Sequence, residues 1–172
     1  MVRLWPLLSF LTIAGSSFAQ APLLPTAFPE LPKNIVADLQ RRHCKIPQLL
    51  HEKKVNVIKG EFAKPGQTDW AALCEVGHTT TILVYWNGSE INPARIAQQD
   101  DAGRYEITEK GKENIQVISP VGRREIMTHY SHSPGPKPPP IDHQGIDDAL
   151  AGKASSIHYF YNGKWIGLTG SD

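Results

Sequence analysis

The sequence of 172 residues lacks an excess of charge, with 18 Lys and Arg against 17 Asp and Glu. This balance argues against a nucleic-acid-binding protein and against strong attraction to a membrane surface. The chain also lacks the Gly-x-Ser-x-Gly turn of serine hydrolases and the Gly-x-x-x-x-Gly-Lys-Ser/Thr loop that binds phosphates. Because no complete catalytic motif is present, the sequence favours a binding protein over an enzyme without deciding between them.

The apolar run at residues 4–15 is too short to cross a bilayer. Arg3 precedes it, and the small residues Ser17 and Ala19 follow in the pattern of a signal-peptidase site. The sequence therefore predicts a cleaved signal peptide over residues 1–19 and a secreted or periplasmic protein. No stable membrane insertion is expected after cleavage.

Cysteine is scarce, since Cys44 and Cys74 are the only two in the chain. A single pair in an oxidising compartment indicates a disulfide, here closing a loop of about 30 residues. The rival interpretation, a catalytic thiol at Cys74, requires an exposed free cysteine beside a base. Cys74 falls on an inward face of a predicted strand, so the disulfide is favoured.

Local patterns predict an α+β domain over residues 33–172, after a proline-rich extended arm at 20–32. Residues 33–43 have apolar side chains at helical spacing, and residues 122–132 predict a second helix. Turn residues separate alternating segments that predict a mainly antiparallel sheet of about five to seven strands. Those segments are 55–62, 69–76, 79–86, 104–107, 115–118, 156–161 and 164–168.

Three further patterns lead to local expectations. Residues 92–99 are compatible with a short helix, and 104–107 with 115–118 are compatible with a hairpin. Asn162-Gly163 is the strongest hairpin signal, because both residues of the turn must take positive φ. A two-residue turn there pairs Phe160 with Trp165, and we expect this hairpin to complete the same sheet as the earlier strands.

Histidine and aspartate are concentrated in one part of the chain, and imidazole with carboxylate is a ligand set of zinc. The residues concerned are His129, His132, Asp142, His143 and Asp147. One hypothesis is a metal-dependent hydrolase with zinc or a similar divalent ion as cofactor. The other is that Asp142 or Asp147 caps a short helix reaching Leu150, with the histidines at the surface or hydrogen-bonded. The second is favoured, because no His-Glu-x-x-His spacing is present.

Large aromatic side chains fall in the predicted strands. Those considered for a binding surface are Trp86, Tyr159, Tyr161 and Trp165. On an outer sheet face they would form a platform, since Trp and Tyr are favoured as interface anchors. On an inner face they would pack in the core, which is the expected position for any one of them.

Residues 56–88 contain Gly60-Glu61-Phe62 followed by Asp69, and this pattern resembles a single blade of the FG-GAP/VCBS type of extracellular repeat. The resemblance implies a β-rich scaffold in which a calcium loop follows the first strand. Ala63 and Pro65 occupy intermediate ligand positions without a side-chain oxygen, and calcium takes six or more oxygens. A calcium site is therefore not expected.

Several stretches together resemble an uncharacterised family of small secreted bacterial proteins. They are residues 44–48, 56–62, 66–71, 142–150 and 158–172. The resemblance implies export and a compact α+β or β-rich domain. It does not indicate any particular activity. The sequence thus predicts a binding or interaction module without a cofactor, whose partner is another secreted protein or a cell-envelope component.

Overall fold

A computed structural model describes residues 21–49, 52–100, 102–109 and 111–171. The predicted signal peptide lies outside the described residues. The described residues contain two α-helices and ten strands, and the strands form three sheets. The helices are α1 (Lys33–Arg41) and α2 (Arg123–His132); the strands are β1 (Val57–Gly60), β2 (Asp69–Val76), β3 (Thr79–Tyr85), β4 (Ala94–Asp100), β5 (Tyr105–Thr108), β6 (Gly111–Asn114), β7 (Gln116–Val121), β8 (Gly145–Leu150), β9 (Ser155–Tyr161) and β10 (Lys164–Thr169).

All strand pairs are antiparallel, so the predicted α+β class with antiparallel sheets is confirmed. The first sheet has the order β1-β2-β3-β4 and the second has the order β10-β9-β8-β7, while β5 and β6 form a separate hairpin. The number of strands exceeds the five to seven expected, because β4, β6 and β8 were not predicted. Neither helix is longer than ten residues, and within the described ranges no helix is long and apolar enough to cross a membrane.

The segment considered for a short helix at residues 92–99 is strand β4. Ile96 of this strand is buried between the two sheets, and Arg95 pairs with Leu83 of β3. The pairing is interrupted by a bulge, where Ala97 adopts a positive φ of 50°. Sheet pairing with β3 has overridden the local helical preference of this segment.

The expected hairpin between residues 104–107 and 115–118 is also wrong. β5 pairs with β6, which occupies the predicted turn, and β7 pairs with β8 instead. The short helix expected to reach Leu150 is therefore strand β8, which lies between β7 and β9. Asp142 and Asp147 accordingly cap no helix there, since Ile146 is needed in the core between the sheets.

The C-terminal hairpin forms with the predicted register, and Phe160 pairs with Trp165. It completes the second sheet rather than the sheet of β1–β3, because β8 pairs along β9. Asn162 has a φ of 50° and Gly163 a φ of 76°, as a two-residue turn of this type requires.

Three apolar clusters show that the molecule has four layers, helix, sheet, sheet and helix. The first cluster packs Ile35 and Leu39 of α1 against Ala72 and Leu83 on the outer face of the first sheet. The second lies between the sheets and contains Phe62, Leu73, Ile82, Val84, Ile118 and Ile146. The third packs Ile126 of α2 against the outer face of the second sheet, including Ile157, Tyr159 and Leu168. Both faces of each main sheet are thus buried over much of their area.

Residues 21–32 do not extend away from the domain as the expected arm would. Leu23 and Ile46 exchange two backbone hydrogen bonds of 2.9 and 2.8 Å, and residues Pro25–Ala27 form a 3₁₀ turn. Phe28 and Leu31 are buried in the cluster beneath α1. The proline content suggested an arm. Burial of each of these apolar side chains stabilises the docked segment by roughly 2 kcal/mol, and this holds it against the domain.

The end of α1 directs the first cysteine to its partner. The N–H of Cys44 donates to the carbonyl of Leu39, and the N–H of His43 donates to that of Gln40. This is a Schellman motif, with His43 in the left-handed conformation at a φ of 58°. The reversal brings Cys44 to β2, where it forms the predicted disulfide with Cys74.

Candidate functional site

The loop between β1 and β2 is organised by the buried carboxylate of Asp69. Its Oδ2 accepts hydrogen bonds from the N–H groups of Phe62 and Ala63 at 2.9 and 2.8 Å. Its Oδ1 accepts from Gln67 Nε2 at 2.7 Å and from the N–H of Asn87 at 2.8 Å. At the position where the blade resemblance has a calcium ligand, the carboxylate thus binds four N–H donors. The loop is thereby tied to the turn that follows β3.

An open cleft of about 430 Å³ lies at one end of the two sheets, where three segments meet. They are the β1–β2 loop, the segment before β8, and the β9–β10 turn. Its lining residues are Ala63, Lys64, Pro65, Pro140, Asp142, His143, Phe160, Tyr161, Asn162 and Gly163. We call this feature the loop cleft. The sequence singled out Asp142, His143 and Tyr161 among them, whereas Lys64, Pro65 and Asn162 gave only the signal of turn residues.

Two walls of the loop cleft are joined by Gln144. Its side-chain oxygen accepts from the N–H of Glu61 at 3.0 Å, and its own N–H donates to the carbonyl of Glu61 at 3.0 Å. Since Glu61 begins the loop that Asp69 holds, the spacing between these walls is set by hydrogen bonds.

His143 lines the cleft, and its ring is positioned by one stacking contact and by contacts of both nitrogens. Its ring stacks on that of Tyr159 with centroids 4.4 Å apart and planes 7° from parallel. Nδ1 lies 2.9 Å from the carbonyl oxygen of Gln144, and Nε2 lies 2.9 Å from that of Phe160. Both ring nitrogens therefore face backbone carbonyl oxygens, which act only as hydrogen-bond acceptors. In this arrangement neither nitrogen is directed at a metal ion or a substrate.

Asp142 is the exposed acidic group of the cleft, with 69% of its side chain accessible. The Tyr159 hydroxyl donates to Asp142 Oδ1 at 3.2 Å and accepts from the Asp142 N–H at 3.1 Å. Burial raises the pKa of Tyr159, so its phenol remains protonated and able to donate. One carboxylate oxygen of Asp142 is thus oriented by the protein, while the side chain stays open to solvent.

The remaining candidates for a metal site lie elsewhere. His129 and His132 belong to α2, and His132 is exposed with Nδ1 3.0 Å from the carbonyl oxygen of Thr128. Asp147 is half-buried on β8. Burial raises the pKa of Asp147, and a hydrogen bond from Ser155 and the nearby His129 partly offset that effect.

The predicted His/Asp cluster is therefore divided between two places. Asp142 and His143 line the loop cleft, whereas Asp147 lies on β8 near His129 of α2. Over residues 21–49, 52–100, 102–109 and 111–171, no group of three or more His, Cys, Asp or Glu is placed to hold a metal ion.

The four aromatic residues considered for binding also separate. Trp86 and Trp165 stack with centroids 5.7 Å apart, and Phe160 lies 5.0 Å from Trp86 and 5.5 Å from Trp165. This cluster joins the end of the first sheet to the second. Tyr159 points to the opposite face of β9 and is fully buried, and Tyr161 is half-buried beside the cleft. A single exposed aromatic platform is not formed.

Comparison of the chain with protein-family models, curated proteins and solved structures finds no match.

The loop cleft is lined by charged, amide and aromatic side chains. Lys64 and Asp142 supply charges of opposite sign, Asn162 supplies an amide, and Phe160 and Tyr161 supply aromatic surface. No serine, threonine or cysteine is among the described residues that line it. The side chain best suited to proton transfer, His143, faces backbone carbonyls through both nitrogens.

Proposed function

We propose that this chain is an exported binding module, and that it recognises another secreted protein or a cell-envelope component through the loop cleft. The observation that carries the proposal is the exposed Asp142 carboxylate, 69% accessible, set among groups that the protein holds in place. Export is supported by the signal-peptide pattern at residues 1–19 and by the Cys44–Cys74 disulfide, which persists in oxidising compartments.

The walls of the cleft are arranged before any partner arrives. Asp69 holds the loop that carries Lys64, Gln144 links that loop to the segment carrying Asp142, and the hairpin turn presents Asn162. Binding loses less conformational entropy when the contact groups are already ordered. This ordered arrangement favours a binding site over a gap that is only a by-product of how the loops pack.

The size and charge of the cleft indicate how a partner would engage it. A volume of about 430 Å³ lies in the range of sites that accept small ligands or a few protruding side chains. A cationic group of the partner would pair with Asp142, and an acceptor would meet the Lys64 ammonium. Pro65, Phe160 and Tyr161 would contact apolar surface between these charges.

Affinity capture from periplasmic extract or culture medium tests the proposal, with the processed chain as bait. We expect a specific partner, and we expect Asp142→Ala to bind it at least tenfold more weakly. The reason is that a hydrogen bond to a charged group, once buried by the partner, contributes roughly 1.5–3 kcal/mol. Glu52→Gln is the matched control, since Glu52 is an exposed acid that does not line the cleft. The cleft is not the binding site if Asp142→Ala and Tyr161→Ala both retain the partner at full affinity.

The metal-dependent hydrolase remains the alternative, and the arrangement of the described residues does not favour it. We expect purified protein to contain less than stoichiometric zinc after dialysis against a weak chelator. Stoichiometric zinc that disappears in His143→Ala would replace the proposed binding function with the alternative.

A further inference from the structure

A second concavity lies on the outer face of the first sheet, beside α1, and has a volume of about 410 Å³. Its lining residues include Cys74, Thr79 and Thr81 of the sheet, Arg42 at the C-terminal end of α1, and Arg95 of β4. We call it the arginine groove. Its lining residues are distinct from those of the loop cleft.

The first arginine, Arg42, is positioned by a buried carboxylate. Arg42 Nε donates to Asp38 Oδ2 at 2.7 Å, the Tyr85 hydroxyl donates to the same oxygen at 2.9 Å, and Arg41 contacts Oδ1. Burial alone would raise the pKa of Asp38, but these donors more than offset it and the pKa lies below its ordinary value. The carboxylate therefore stays charged and holds Arg42, using one of the five N–H donors of the guanidinium.

The second arginine, Arg95, is exposed on β4. It pairs with Leu83 across the sheet, and its Nη2 donates to Oε1 of Gln98 at 3.3 Å; Gln98 also lines the groove. Arg42 and Arg95 are 53 positions apart in sequence, yet the fold places both at one concavity.

The charged residues that line the groove, Arg42 and Arg95, are both cationic. None of its described lining residues is acidic. Around the groove, Asp38 accepts from Arg41 and Arg42, Glu90 lies near Arg41, and Asp100 pairs with Thr79 at the end of β4. The hydroxyl groups of Thr79 and Thr81 add neutral donors to the lining.

We propose that the arginine groove is a binding site for an oxyanion, with a carboxylate or phosphate group bridging Arg42 and Arg95. Guanidinium groups bind such groups through paired, charge-assisted hydrogen bonds, and the threonine hydroxyls suit the remaining oxygens. The volume fits a small di-anion or an anionic group carried by a larger ligand. The competing explanation is that Arg42 only stabilises the C-terminal end of α1, but this leaves the position of Arg95 without a role.

Titration of ¹⁵N-labelled processed chain with inorganic phosphate, and separately with succinate, tests this proposal at constant ionic strength. We expect saturable amide shifts at Thr79, Thr81 and Gln98. The Arg95→Gln variant should weaken binding about tenfold or more, the effect of one charge-assisted contact. Arg124→Gln is the control, because Arg124 is exposed on α2 and lies outside the groove.

The two probes separate the sources of the anion. Saturable binding of phosphate alone supports a phosphorylated ligand, and binding of succinate alone supports a carboxylate ligand. The proposal is overturned if neither probe gives saturable shifts at the groove, or if Arg95→Gln binds as tightly as the parent chain. These outcomes do not depend on whether the loop cleft binds a partner.

Discussion

Asp69 is the residue whose replacement tests most directly how the loop cleft is built. The side chain is fully buried and accepts four hydrogen bonds from N–H donors, three of them from the backbone. These donors come from the β1–β2 loop and from the turn after β3. Replacing the carboxylate therefore loosens the wall of the cleft that carries Lys64.

The size of the effect follows from the number of donors left without an acceptor. In Asp69→Asn the amide oxygen can keep the two bonds to Phe62 and Ala63, and Gln67 can turn its own amide to accept. The N–H of Asn87 then loses its acceptor and faces another donor. The loss of this acceptor, together with the weaker hydrogen bonds of a neutral amide, should lower the free energy of unfolding by about 2 kcal/mol. Asp69→Ala removes all four bonds and should lower it by about 4 kcal/mol or more.

Urea unfolding of the oxidised protein measures both variants, and the midpoint and slope give the free energy of unfolding. A domain of this kind has only about 5–15 kcal/mol in total, so both changes are large. Asp142→Asn serves as control and should stay within about 0.5 kcal/mol, because that side chain is mostly exposed. The reasoning is refuted if Asp69→Asn costs less than 1 kcal/mol (about half the smaller estimate) or if it costs more than Asp69→Ala.

Three further changes have definite expected outcomes in the same unfolding assay. The double variant Cys44→Ala/Cys74→Ala should lose about 3–4 kcal/mol, since the bridge spans 30 positions, and reducing the parent chain should reproduce that loss. Burial raises the pKa of Asp147 above the ordinary value of 3.8, so its ionised form is unfavourable in the folded state. Asp147→Asn should therefore stabilise the protein at pH 7, and this gain in stability should vanish as the pH falls below 3.8. An equal gain at pH 3 would contradict this reasoning. Ala97→Gly should raise stability by about 1 kcal/mol, because Ala97 has a φ of 50° in the β4 bulge, and a loss of stability would show that its conformation is not strained.

Short-range signals in the sequence predicted several elements correctly. Asn162-Gly163 predicted both the C-terminal hairpin and its register, because a two-residue turn leaves one way to pair the strands that follow. The alternation of Trp70, Ala72 and Cys74 with Ala71 and Leu73 predicted β2, and the structure buries the two sets in different clusters. The cysteine count, the expected compartment and the inward position of Cys74 on its strand predicted the disulfide.

Predictions failed where pairing between strands decided the outcome. Residues 92–99 have a weak helical preference. As a strand they instead pair with the edge of β3, and Ile96 is buried in the core between the sheets. Asp147 suggested a helix cap, yet β8 pairs on both sides with β7 and β9. In each case the stabilising energy came from pairing with other strands, which the propensity of the segment itself does not contain.

The sequence by itself determined the antiparallel strands at 69–76 and 79–86, the final hairpin and the cysteine pair, because each depends on neighbouring residues or on composition. It also supplied Asp142, His143 and Tyr161 as candidates for a site. Only the tertiary structure decided that these three meet Lys64 in one cleft while His129 and Asp147 lie elsewhere. The physical reason is that the cleft forms where loops of both sheets come together, and the order of strands in the second sheet is set by pairing across the whole domain.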